Sequence, residues 1–138
     1  MEKIDFDKVY NDLTKIRDRI LKEFMEIYNA RTNADRIPIF EGDIFGNRIG
    51  NAVDYLNDVC GGAYISFRDR RSNFYKQYKA WYKNLPENRD NKWLEIHRFD
   101  YPHSGRQELE VNEAIAKACC EYINKNLGAN CRVGSYID

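Results

Sequence analysis

The chain has 138 residues and no net charge, since 22 Lys and Arg residues balance 22 Asp and Glu residues. This length fits one domain, residues 1–138, with a single hydrophobic core. The shares of hydrophobic residues (43%) and charged residues (32%) exclude a disordered chain, and no apolar run reaches the roughly 20 residues of a membrane-spanning helix. With no apolar signal region at the N-terminus, we expect a cytoplasmic protein that contacts no membrane.

The first segment predicts a long amphipathic helix from Asp5 to about Tyr28. Its apolar residues recur at spacings of three and four and so form one stripe: Phe6, Val9, Leu13, Ile16, Ile20, Phe24 and Ile27. Asp5 and Asp7 suit the positive end of the helix dipole. The stripe favours a helix that lies on the core of its own domain. Because the same seam could pair two chains, a homodimer through this helix stays open.

The segment from residue 29 to residue 67 predicts a strand, a helix and a second strand. Pro38 excludes a helix at "RIPIF", which we predict as a short strand. From Arg48 to Cys60 apolar residues recur at helical spacing, and the two glycines that follow would end that helix. "AYISF" alternates in the manner of a strand.

The stretch "RDRRSNFYKQYKAWYK", residues 68–83, carries a strong local charge. Six Lys and Arg residues against Asp69 give it a balance of +5. Ser72 is a suitable N-cap for a helix that runs to about Leu85, before Pro86. At about 100° per residue, most aromatic rings fall on one side of this helix and the lysines on the other. We therefore expect the rings in the core, with Tyr75 alone free to stack on a ligand.

The remaining segments predict a strand at "WLEIHRF", a last helix and a closing strand at "CRVGSYI". Ser104-x-x-Gln107 fits a capping box at the start of that helix, and Gly128 is placed to end it. These elements predict an α+β domain. In it, the long N-terminal helix and the further helices pack on a small, mainly antiparallel sheet.

The four cysteines predict free thiols rather than a disulfide or metal site. Cys119 and Cys120 are neighbours on a helix, and no CxxC pair occurs. His97 and His103 do not have the spacing of zinc ligands with any cysteine. We expect no metal and no cofactor.

His97 and His103 are the residues that an acid–base enzyme would use, because Glu95 and Asp100 lie close to them in sequence. The chain has no nucleophile motif and no glycine-rich phosphate loop ending in Lys-Ser or Lys-Thr. The sequence thus favours a protein without catalytic residues. A small His-dependent hydrolase or phosphodiesterase stays open as an alternative.

The basic stretch supplies the candidate binding site, which we call the basic patch. Three arginines precede the helix, near backbone N–H groups that favour anions, and three lysines repeat along one helical face. The predicted binding residues are Arg68, Arg70, Arg71, Tyr75, Lys76, Lys79 and Lys83. Such a patch attracts phosphate groups or an acidic protein.

The charge of the chain is polarised, because an acidic region complements the basic patch. Between Glu41 and Asp58, four acids stand against Arg48, a balance of −3. We expect a small non-enzymatic binding protein, an inhibitor or adaptor that docks on a protein partner through this polarised surface. Its 14 Asn and 10 Tyr residues are typical of proteins from AT-rich bacterial or mobile-element genomes, which by analogy act on host nucleic-acid or defence machinery. Direct binding of nucleic acid or a nucleotide by the basic patch is the alternative.

Overall fold

A computed structural model of the chain describes residues 2–42 and 46–138. Within these residues the helices are α1 (Phe6–Ala30), α2 (Asn73–Lys83) and α3 (Leu109–Leu127), with a 3-10 turn at Asn33–Asp35. The strands are β1 (Ile37–Gly42), β2 (Arg48–Leu56), β3 (Gly61–Phe67), β4 (Arg98–Phe99) and β5 (Cys131–Ile137). This architecture confirms the predicted α+β class. Asp43, one of the four acids of the predicted acidic region, lies outside the described residues.

Helix α1 begins where the sequence predicts and buries most of its apolar stripe in the core of its own chain. Asp5 is the N-cap, and its Oδ1 accepts a hydrogen bond from the backbone N–H of Lys8 at 3.2 Å. The buried side chains of α1 are Phe6, Val9, Leu13, Ile20 and Tyr28. Helix α1 packs against α3, with Ile16 and Phe24 partly buried against the same core, whereas Ile27 at the end of the stripe is 50% exposed. Among the described residues, no helix is long and apolar enough to cross a membrane.

A three-stranded antiparallel sheet in the order β4-β3-β5 forms the second layer. Its inner face buries Ala63, Ile65 and Cys131 against α3. Beside this face lies a cluster of aromatic rings from α1, α2, β3 and β4. The rings of this aromatic cluster belong to Phe6, Phe67, Phe74, Tyr78, Trp81 and Phe99. The cluster confirms that the apolar side of α2 belongs to the core.

The predicted helix from Arg48 to Cys60 is wrong, because most of this segment forms β2, which pairs with β1 in a separate antiparallel hairpin. Gly50 has a φ of +68°, a left-handed conformation that an α-helix does not contain. The β-branched residues Ile49 and Val53 favour a strand. Val53 is 59% exposed, so the apolar residues at helical spacing do not form a buried face. Of "RIPIF", residues 37–40 do lie in a strand, β1, but outside the main sheet.

The base of the hairpin is tied to the end of α1 by two arginines. Arg31 donates from Nη1 to the carbonyl oxygen of Asn57 at 2.6 Å. Arg36 donates from Nε to Asn57 Oδ1 at 3.2 Å and from Nη2 to the Tyr28 carbonyl at 3.0 Å. These bonds fix where the hairpin leaves the domain.

The capping box predicted for the last helix is wrong, because α3 begins later and is capped from another segment. The backbone N–H of Glu110 donates to Asp58 Oδ2 at 2.8 Å, and that of Leu109 donates to the Val59 carbonyl at 2.9 Å. Ser104 instead donates to Asn112 Oδ1 at 2.5 Å. At the other end, Gly128 stops α3 in the left-handed conformation, as predicted.

The predicted strand "WLEIHRF" is mostly wrong, since β4 contains only Arg98 and Phe99 of it among the described strands. The preceding residues, 93–97, cross the side of α2 instead, where the Tyr75 hydroxyl donates to the Ile96 carbonyl at 3.3 Å. The side chains of residues 93–97 alternate between more exposed and more buried because one side of this segment lies against the protein. It has no neighbouring strand to pair with before Arg98.

The four cysteines are free thiols that differ in accessibility. Burial raises the pKa of the Cys119 and Cys131 thiols from 9.0 to about 12, and burial also raises the pKa of Cys120. The Cys119 and Cys131 thiols stay neutral in the folded chain up to about pH 12, whereas in the unfolded chain they ionise above their ordinary pKa of 9.0. Their contribution to the free energy of unfolding is therefore complete below pH 9.0 and is lost as the pH rises towards 12.

Because the thiolate is the reactive form, we expect a maleimide at about pH 8 to label Cys60 alone in the native protein. Cys60 is partly exposed, whereas the other three cysteines are buried. Intact mass and peptide mapping would count the labels, with the urea-unfolded chain as the control that should take up all four. Labelling of Cys119 at the rate of Cys60 would contradict this assignment.

Candidate functional site

The outer face of the three-stranded sheet carries two matched glycine–tyrosine pairs. Tyr64 of β3 is in register with Gly134 of β5, and Tyr136 of β5 is in register with Gly62 of β3. A Cβ atom at Gly134 would lie 2.2 Å from Tyr64 Cζ, and one at Gly62 would lie 2.3 Å from the Tyr136 hydroxyl oxygen. Each ring therefore leans across a strand position that has no side chain. Tyr136 is 52% exposed, so its ring is available to a ligand.

Two arginines flank Ser66 on the same face. Arg98 of β4 and Arg132 of β5 are both in register with Ser66, from opposite sides of β3. The guanidinium carbon of Arg98 lies 3.9 Å from the centroid of the Tyr64 ring, a cation–π contact, and Arg132 Nε donates to Ser66 Oγ at 3.4 Å. The sheet thus places aromatic rings directly beside positive charge, which the faces of α2 do not. We call Tyr64, Ser66, Arg98, Arg132 and Tyr136 the sheet platform.

Two cavities open beside the sheet platform and share a wall. The larger has a volume of about 720 Å³ and includes Tyr64, Arg98 and Tyr136 in its lining. The smaller has a volume of about 340 Å³ and lies against α2. Residues 94–97 line both cavities, so a surface depression leads from the sheet platform to the basic side of α2.

The smaller cavity, which we call the lysine cleft, is strongly basic. Its charged lining residues are Arg70, Lys79, Lys83, Lys92 and Glu95. These give four positive charges against one carboxylate. Trp93 also lines the cleft and is 90% exposed, a large apolar side chain left in water.

The structure divides the predicted basic patch. Arg70, Lys79 and Lys83 come together in the lysine cleft, whereas Arg68, Arg71 and Lys76 are exposed residues outside its lining. The Arg71 side chain is 92% exposed, and its Nε lies 3.2 Å from Asp69 Oδ1. The lysine cleft thus brings together three of the six predicted cations.

The expectation that Tyr75 is free to stack is wrong. Tyr75 lines the lysine cleft, but it is only 7% exposed because residues 94–97 lie over it and its hydroxyl is bonded to the Ile96 carbonyl. The helical wheel placed Tyr75 at the edge of α2, and only the long-range fold shows what covers it. Trp93 is the exposed ring of the cleft instead.

His97 links two charged residues in the wall between the cavities. Arg70 Nη2 lies 2.7 Å from His97 Nδ1, and His97 Nε2 lies 2.8 Å from Glu95 Oε2. A guanidinium has only donors, so Nδ1 must accept, and Nε2 carries the proton that is donated to Glu95. Both ring nitrogens are thus engaged. His97 holds Arg70 at the wall between the two cavities.

His103 lines the larger cavity together with Asp100 and Tyr101. Its Nε2 lies 3.5 Å from Asp100 Oδ1, and its ring centroid is 4.5 Å from that of Tyr101. Burial raises the pKa of Tyr101 to about 12, and its hydroxyl donates to the Ala63 carbonyl at 2.8 Å. Tyr101 therefore stays protonated and acts as a fixed support for His103.

The sequence reasoning missed the whole sheet platform. The signal that could have revealed it is a repeated Gly-x-Tyr triplet, "GAY" at residues 62–64 and "GSY" at residues 134–136, inside two predicted strands. When such strands pair antiparallel in the right register, each tyrosine faces the glycine of the other strand. Neither triplet indicates this alone, because the register is set by the tertiary fold.

Comparison of the chain with protein-family models, with curated proteins and with solved structures found no match. Within residues 2–42 and 46–138, no group of three or more His, Cys, Asp or Glu side chains is placed to hold a metal ion.

Proposed function

We propose that this protein is a non-enzymatic binding protein for single-stranded nucleic acid, which it holds on the sheet platform. The observation that carries the proposal is the contact of 3.9 Å between the Arg98 guanidinium and the Tyr64 ring, beside the exposed ring of Tyr136. Unpaired bases stack on aromatic rings and on guanidinium planes. The cross-strand glycines keep both tyrosine rings low against the sheet, so the platform is open to a flat ligand.

The charges around the rings suit a sugar–phosphate backbone. Arg98 and Arg132 approach Ser66 from two neighbouring strands, and this arrangement offers two guanidinium groups and a hydroxyl to one phosphate. The larger cavity sets Arg98 against Glu95 and Asp100, and the excess of positive charge lies beyond residues 94–97, in the lysine cleft. Since the net charge of the chain is zero, this attraction acts locally rather than over the whole molecule.

A single strand fits the platform better than a duplex does. Bases inside a duplex are stacked on each other and present only their edges in the grooves. Tyr64 and Tyr136 lean across their neighbouring strands and so do not project far enough to enter a groove. Stacking on these rings requires bases that are free to leave their own stack.

The test is fluorescence anisotropy with a labelled oligonucleotide of about ten nucleotides, a length within the range of single-strand binding sites. Single-stranded DNA and RNA, the matching duplex and an acidic polypeptide are titrated in parallel. We expect saturable binding of a single strand, weaker binding of the duplex, and a salt slope of about −0.7 per contacted phosphate. Binding of the acidic polypeptide without any oligonucleotide would overturn the proposal and favour an inhibitor or adaptor with an acidic protein partner.

We expect the double variant Arg98→Ala, Arg132→Ala to bind a single strand more weakly and with a salt slope reduced by roughly 0.7 for each lost phosphate contact. Both side chains are exposed, so the thermal midpoint should stay close to that of the wild type. Arg19→Ala removes an exposed arginine of α1 and is the matched control. An unchanged salt slope in the double variant would show that these arginines contact no phosphate.

A further inference from the structure

We infer that the lysine cleft recognises the terminal phosphate of the strand that the sheet platform holds. This inference rests on the proposed function. The two sites share residues 94–97 as a common wall, so a strand that leaves the platform beside Arg98 meets the cleft next. The cleft would then hold the end of the strand.

The charge of the cleft matches a terminal phosphate better than an internal one. Arg70, Lys79, Lys83 and Lys92 line it against Glu95, an excess of three positive charges. An internal phosphodiester carries a single negative charge, whereas a phosphate monoester carries about −1.5 to −2 at neutral pH and has three acceptor oxygens. Four cations around one small cavity are more than a phosphodiester requires.

The arginine of the cleft is held in position before any ligand binds. His97 accepts a hydrogen bond from Arg70 at 2.7 Å and donates to Glu95 at 2.8 Å. This chain fixes the guanidinium at the wall of the cleft and also occupies Glu95, the carboxylate that would repel a phosphate. A preorganised guanidinium binds an anion with little loss of side-chain freedom.

Trp93 gives the cleft a place for the last base. The ring is 90% exposed, and the backbone N–H of Trp93 donates to Asn91 Oδ1 at 3.1 Å, which ties down the turn that presents it. A base joined to a phosphate in the cleft can stack on this ring. Phosphate and base together distinguish a strand end from inorganic phosphate.

The test compares oligonucleotides of one sequence that carry a 5′-phosphate, a 3′-phosphate or no terminal phosphate, together with a nucleoside monophosphate. We expect one of the two phosphorylated strands to bind the wild type at least about tenfold more tightly than the unphosphorylated strand, the effect of one added charge-assisted hydrogen bond. Arg70→Ala and the double variant Lys79→Ala, Lys83→Ala should lower this ratio towards one. Arg71→Ala, whose side chain is 92% exposed outside the cleft, should keep it.

The outcomes separate this inference from the proposed function. Equal affinity for all three strands would overturn terminal-phosphate recognition and leave strand binding intact. Absence of binding to every strand would overturn both. If the nucleoside monophosphate binds as tightly as the strands do, the cleft is a site for a free nucleotide, and the assignment to a strand end is overturned.

Discussion

Replacing Tyr78 by alanine is expected to lower the free energy of unfolding by about 3–5 kcal/mol, the usual cost of removing a buried aromatic side chain. Tyr78 has no exposed surface, and its ring centroid lies 4.8 Å from that of Phe99 and 5.6 Å from that of Phe67. Its hydroxyl accepts the backbone N–H of Asp100 at 3.0 Å. The substitution therefore opens a cavity between α2 and the sheet and leaves that N–H without its partner. Urea unfolding followed by circular dichroism measures the change.

Tyr78→Phe separates these two effects. It keeps the ring and removes only the hydroxyl, so we expect a loss of about 0.5–1.5 kcal/mol, the usual net contribution of one hydrogen bond, because Asp100 is exposed and water can replace the lost partner of its N–H. Burial raises the pKa of Tyr78 to about 12, so the neutral hydroxyl persists through the ordinary pH range. A loss below about 1 kcal/mol for Tyr78→Ala would show that the aromatic cluster is not the centre of the core.

Replacing both Tyr64 and Tyr136 by alanine is expected to abolish most of the affinity for a single strand. Stacking of one base on one aromatic ring contributes about 1–3 kcal/mol. Tyr136 thus accounts directly for roughly a 5- to 150-fold change in the dissociation constant, and Tyr64 acts through Arg98, whose guanidinium lies over its ring. The loss should be nearly independent of salt, because rings rather than charges are removed, and this separates it from the effect of Arg98 and Arg132. Anisotropy titrations at two salt concentrations measure both quantities.

Three further variants make this prediction specific to stacking. Tyr136→Phe keeps the ring and should bind almost as the wild type does. Gly134→Ala keeps Tyr64 but places a Cβ atom 2.2 Å from the present position of the Tyr64 Cζ atom. The Tyr64 ring must therefore move, and the affinity for a single strand should fall. Tyr55→Ala removes a tyrosine of the hairpin that is 37% exposed and should have no effect. If Tyr136→Phe loses as much affinity as Tyr136→Ala, the hydroxyl and not the ring makes the contact.

The helices were predictable because local signals specify them. Asp5 and Ser72 act as N-caps where the sequence places them, and Gly128 ends α3. The helix predicted from Arg48 to Cys60 was wrong because apolar spacing alone cannot distinguish a buried helix face from an exposed hairpin. Gly50 and the β-branched residues Ile49 and Val53 favour a strand over the helix that the apolar periodicity predicts.

The candidate site was only partly predictable, because it depends on which distant segments meet. Arg70, Lys79 and Lys83 follow from charge along α2, but Lys92 and Trp93 reach the same cleft through the fold of residues 86–97. The sheet platform depends on the register of β3 with β5, which are separated by more than sixty residues. No pattern within either strand specifies which glycine will face which tyrosine.

The hairpin has a consequence for how this chain can vary over evolution. Strands β1 and β2 pair only with each other among the described strands, and side chains such as Ile49 and Val53 are exposed, so residues there are under little packing constraint. Arg31 and Arg36 anchor the base of the hairpin through Asn57, and Asp58 caps α3. These contacts fix the point where the hairpin leaves the core, while the strands beyond them are free to change length. Insertions and substitutions in the outer hairpin would leave the core, the sheet platform and the lysine cleft in place. The hairpin is thus the part of the molecule where related chains could diverge fastest without loss of the fold.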